Sequence, residues 1–82
     1  MSPVKVLVVD DEPMVCAHLT TILGAADDIE VVASAADGAE AVEAVLRFRP
    51  DVVLMDLRMP GVDGITAASR ITVLPDAPPV VA

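Results

Sequence analysis

The sequence predicts an α/β fold in which a parallel sheet is doubly wound, with helices on both faces. Short, continuous, valine-rich runs at residues 6–9 and 52–55 have the length and composition of strands buried on two sides. The segments between such runs carry apolar residues at helical spacing. Strand-like and helix-like stretches alternate along the chain, which is the order a parallel sheet requires.

The elements follow in order. Residues 4–9 form the first strand, closed by Asp10. A helix over 14–23, with Pro13 in its first turn, sets Val15, Leu19, Ile22 and Leu23 on one face, and Gly24 stops it. Residues 30–34 are a weaker strand. The second helix spans 37–49: Asp37 and Glu40 have capping-box spacing, Val42, Val45 and Leu46 face inward, and Pro50 ends it. The third strand is 52–55. A third helix over 64–72, capped by Asp63, turns Ile65, Ala68 and Ile71 inward. A stub of a fourth strand occupies 79–82. The whole is βαβαβαβ with right-handed crossovers, a single domain over residues 1–82.

Composition narrows the function. The chain has 82 residues, enough for one small domain. Thirteen acidic residues against five basic ones give a formal net charge of -8. Such a balance argues against nucleic-acid binding by this chain and against an acidic membrane surface. Hydrophobic residues make up 55% of the sequence, which excludes disorder as the main state. Phe48 is the only aromatic, so the core is built from Val, Ala, Leu and Ile. No apolar run approaches the ~20 residues of a membrane span, and the four apolar residues after Lys5 are too few for a signal-peptide core. A single cysteine, Cys16, forms no intrachain disulfide. The expected location is cytoplasmic.

Chemistry concentrates at two strand ends. The first strand runs into Asp10-Asp11-Glu12-Pro13, and the third into Asp56, followed by Leu57-Arg58-Met59-Pro60-Gly61. Ligands of open parallel sheets collect outside the carboxyl ends of the strands. If the first and third strands are neighbours, Asp10, Asp11 and Asp56 converge, and a divalent cation relieves their mutual repulsion. Mg2+ takes oxygen ligands and keeps positions for water and a phosphoryl oxygen. An aspartate beside it can act as a nucleophile toward phosphorus. A blander reading stands alongside: Asp10 or Asp11 as a helix cap, and Asp56 as a turn former.

At these residues the chain resembles the receiver domain of two-component response regulators. Val6-Leu-Val-Val-Asp-Asp-Glu-Pro13 and Asp51-Val-Val-Leu-Met-Asp-Leu-Arg-Met-Pro-Gly-Val-Asp-Gly64 carry the likeness, and Ala36-Asp-Gly-Ala-Glu-Ala41 fits the start of the family's second helix. The resemblance implies a flavodoxin-like sheet, with Asp56 as phosphoacceptor and Mg2+ held by Asp10, Asp11, Asp56 and the backbone carbonyl of Arg58. It implies a sensor histidine kinase as donor partner and no enzymatic turnover. Ile29-Glu-Val-Val-Ala33 and Arg49-Pro-Asp51 are most similar to regulators that carry a LuxR-type helix-turn-helix output domain. The family has five βα units, whereas this sequence stops in the fourth strand. It looks like a truncated receiver, without counterparts to the family's switch Ser or Thr and its phosphate-contacting Lys.

Two other classes stay open. One is a Mg2+-dependent phosphatase with an aspartyl nucleophile, although position 12 is Glu where the dehalogenase-type pattern has its second Asp. The other is a structural fragment that self-associates. An exposed third helix and fourth strand predict a homodimer through that surface. His18 reads as a solvated helix residue, Cys16 as packing, and Met14, Met55 and Met59 as core or loop anchors. Arg58 is expected to point into water, and Gly61 and Gly64 to shape the loop beside Asp56.

Overall fold

A computed structural model describes residues 2–55 and 63–81. Its elements are β1 (Val4–Val9), α1 (Pro13–Gly24), β2 (Ile29–Ala35), α2 (Gly38–Phe48), β3 (Val52–Met55), α3 (Asp63–Thr72) and β4 (Val80–Val81). The four strands form one sheet in the order β2-β1-β3-β4, and each neighbouring pair is parallel. The predicted element order is therefore observed, with β2 longer at both ends and β4 reduced to two residues.

Sheet and helices build two apolar layers. Val6, Leu7, Val8 and Val9 of β1 are all buried, because this strand is flanked on both edges and covered on both faces. On one face Leu7, Val9, Val53 and Met55 pack with Ala41 and Val45 of α2 and Ile71 of α3. On the other, Val6 and Val8 meet Cys16 of α1, flanked by Leu19 and Leu23.

Helix phase is met at Leu19 and Leu23 of α1, Val42 and Val45 of α2 and Ala68 and Ile71 of α3, and departs from expectation at the remaining positions. In α1 the stripe is Cys16, Leu19 and Leu23, while Val15 is 36% and Ile22 54% exposed. The helix is apolar enough to allow either stripe, and its junction with β1 selects one. The Cys16 N–H bonds to the Glu12 carbonyl and its thiol donates to the Asp10 carbonyl, which turns Cys16 toward the sheet. Leu46 is exposed because it lies roughly 100° around α2 from Val45. Ile65 is also exposed: each three-residue step falls roughly 60° short of a full turn, which carries it off the Ala68–Ile71 line. Met14 is exposed too, whereas Met55 is in the core, as expected.

Local signals set the boundaries. Asp37 caps α2, its Oδ1 accepting from the Glu40 N–H at 2.9 Å. At the other end Arg49 is a left-handed C-cap at φ 51°, its N–H donating to the Val45 carbonyl at 3.0 Å, and Pro50 prevents the helix from continuing. Gly64 lies in the first turn of α3, as the predicted helix over 64–72 has it, and Asp63, the expected cap, is the first residue of the helix. Below the sheet, the Asp51 N–H donates to the Lys5 carbonyl and Asp51 Oδ2 accepts from the Lys5 N–H, both at 2.8 Å. No helix among the described residues is long and apolar enough to cross a membrane.

Candidate functional site

The site follows from the register of the two central strands. β1 and β3 are parallel neighbours, with Val9 opposite Met55. The next residue of the first strand is Asp10 and the next after β3 is Asp56. Adjacency of these strands was the condition for the carboxylates to converge. Asp56 itself, with Arg58, Met59 and Gly61, lies outside the described residues.

Asp10 is 5% exposed and is held from three directions. Its N–H donates to the Ala35 carbonyl at 3.0 Å, which continues the β1–β2 ladder by one residue. Its Oδ1 accepts from the Glu12 N–H at 2.9 Å. Its carbonyl accepts from the Cys16 thiol at 3.3 Å. Among the described residues, nothing donates to Oδ2. A carboxylate this buried is costly in its charged form unless hydrogen bonds or a cation compensate.

Glu12 is the N-cap of α1, in extended conformation, with no side-chain cap; Pro13 opens the helix. Asp10 is therefore not the helix cap: its Oδ1 accepts from the N–H of the N-cap residue itself, an Asx-type turn two residues ahead of the helix. Asp11 and His18 are exposed, the latter as predicted. Asp10 and Asp11 offer hard oxygen donors at a strand end, a donor type that suits Mg2+. Among the described residues alone, no group of three or more potential ligands could hold a metal ion.

Beside Asp10, a cleft of about 460 Å3 runs between α1 and the β2–α2 junction, lined in part by Pro13, Cys16, Ala17, Thr20 and Ala35. Burial, and after it the negative charge of Asp10, push the Cys16 thiol above its ordinary value, so it stays protonated. The ties from Ala35 and Cys16 to Asp10 were not anticipated from sequence. The available signal was the offset of six residues from Asp10 to Cys16, one turn into a helix that starts right after the strand.

The response regulator receiver domain model matches residues 6–82. The chain belongs to this family. The receiver domain is 54% identical over 68 residues to protein-glutamate methylesterase/protein-glutamine glutaminase 4 of Geobacter metallireducens, a match covering 83% of this chain and 20% of the relative. It is 47% identical over 68 residues to the transcriptional regulatory protein LiaR of Bacillus subtilis, covering 83% and 32%. The signal receiver domain of the putative response regulator NarL from Mycobacterium tuberculosis superposes with a TM-score of 0.85 at 36% identity, covering 98% of this chain and 64% of that one. The CheX–CheY–BeF3–Mg complex from Borrelia burgdorferi gives 0.79 at 32% identity, covering 96% and 60%. The CheA3 P1 domain complex with CheY6 from R. sphaeroides gives 0.77 at 31% identity, covering 89% and 57%. The chain thus spans about one fifth to one third of those two curated relatives. As a receiver domain of two-component response regulators with the parallel α/β sheet of that family, it has a function consistent with phosphoryl acceptance.

Proposed function

We propose that Asp56 is the phosphoacceptor, with Asp10, Asp11, Asp56 and the backbone carbonyl of Arg58 holding Mg2+. The observation that carries this reading is the register of β1 and β3, in which Val9 and Met55 are paired immediately before Asp10 and Asp56. Bound Mg2+ supplies charge neutralisation at the phosphoryl oxygens. An Asp56 carboxylate oxygen bonds to phosphorus while the phosphorus–nitrogen bond of a donor phosphohistidine breaks, leaving an acyl phosphate here and a free imidazole there.

A sensor histidine kinase is the proposed donor. The complex of a CheA3 domain with CheY6, a structural neighbour, supports this choice. The likeness to LiaR supports a DNA-binding transcriptional regulator as the parent protein. The methylesterase relatives match over only one fifth of their length, so their activity is not carried over. A cytoplasmic location accords with a histidine-kinase partner. Two copies associating through α3 and β4 is supported by Ile65 of α3 and Val81 of β4, which are 65% and 48% exposed.

Transfer from a phosphorylated histidine phosphotransfer domain tests the reading. A receiver takes up the phosphoryl group in a Mg2+-dependent step and holds it. Continuous turnover of simple phosphate esters would instead identify a phosphatase.

A further inference from the structure

We infer that Cys16 is a positioning residue, its thiol fixing the carbonyl of Asp10 and thereby the angle at which the Asp10 carboxylate meets Mg2+. The inference rests on the metal assignment proposed above and adds a residue to it. Cys16 touches neither the metal nor the phosphoryl group; it acts through Asp10.

Asp10 sits where the chain leaves β1 for α1, and three ties from three places hold it. Ala35 fixes the N–H from β2, Glu12 fixes Oδ1 from the helix cap, and Cys16 fixes the carbonyl from inside α1. The carbonyl belongs to the Asp10–Asp11 peptide, which also sets where Asp11 and the Glu12 N–H lie. If that peptide swings, the amide holding Oδ1 moves with it, and the presentation of Oδ2 changes. The Cys16 tie therefore couples the body of α1 to the carboxylate's direction, alongside the direct bond from its N-cap.

Cys16 is itself well anchored. It is 9% exposed against Val6 and Val8, and Thr20 Oγ1 donates to its carbonyl at 2.7 Å, bracing the turn that carries it. A thiol is a weak donor, so the effect belongs below the 10–100-fold range seen for partners that orient metal ligands, at about fivefold in Mg2+ affinity.

The experiment is a Mg2+ titration of the full chain followed by the Glu12 amide resonance, with thermal melts recorded without Mg2+. Wild type is compared with Cys16→Ser, which keeps a donor, and with Cys16→Ala and Cys16→Val, which do not. The expected result is Mg2+ affinity about fivefold weaker in the Ala and Val variants, with the Ser variant within about twofold of wild type. A packing role alone lowers the melting temperature and leaves affinity unchanged, and that outcome overturns the inference. So does a Ser variant as weak as the Ala variant. A wild type that binds no Mg2+ overturns the metal assignment itself, a result distinct from both.

Discussion

Val9 stands opposite Met55 in the parallel ladder between β1 and β3, so both strands reach the same edge of the sheet in step. Asp10 follows Val9 directly at that edge. Asp10 is buried while Asp11 is exposed because the former continues the β1–β2 ladder to Ala35 and the latter begins the turn into α1.

Mg2+ is expected to raise stability. At free Mg2+ tenfold above its dissociation constant, linkage contributes about 1.4 kcal/mol, or roughly 5–10 °C for a domain of this size. Thermal melts with and without Mg2+ measure it. Asp11→Ala should reduce the shift, and an unchanged melting temperature for wild type at high Mg2+ would remove the metal from the account.

Core truncations should separate the buried stripes from the exposed ones. Leu7→Ala and Ile71→Ala, at fully buried positions, are expected to cost about 2–5 kcal/mol. Leu46→Ala and Ile65→Ala, at exposed positions, should stay within about 0.5 kcal/mol. Urea denaturation of the four variants reads the contrast directly.

Much of this architecture was legible in the sequence, for physical reasons that differ by element. The run from Val6 to Val9 announces a strand buried on both faces, because only such a strand tolerates four consecutive apolar residues. Asp37 with Glu40, and Arg49 before Pro50, mark the ends of α2 by local chemistry alone. Helix phase in α1 was legible only in part, since Val15, Cys16, Leu19, Ile22 and Leu23 permit more than one inward stripe and a tertiary junction at Asp10 chooses between them. The position of Asp10 at a strand end was legible, but its clamp was not, because Ala35 lies 25 residues away and offers only a backbone carbonyl.

The buried thiol gives a pH signature. Burial and the Asp10 charge raise the folded value of Cys16 above its ordinary 9.0, so the protonated thiol is the form the fold favours. The associated stability is fully present below pH 9.0 and is lost as pH rises through the higher folded value. Wild type should therefore lose stability relative to Cys16→Ala in alkaline urea titrations. The thiol should also react slowly with iodoacetamide at pH 8 in the folded chain and quickly once unfolded; equal rates would contradict its burial.

Capping residues should shift stability in opposite directions. Asp37→Ala removes the bond to the Glu40 N–H and is expected to cost about 1 kcal/mol. Arg49→Gly relieves a side chain held at φ 51° and should gain up to about 1 kcal/mol. Chemical denaturation at neutral pH checks both signs.

The most direct test of the central claim is intact-mass analysis after incubation with a small acyl-phosphate donor and Mg2+, comparing wild type with Asp56→Asn. The account predicts that wild type gains one phosphoryl group, that omitting Mg2+ suppresses the gain, and that Asp56→Asn remains unlabelled. Equal labelling of wild type and Asp56→Asn would contradict it.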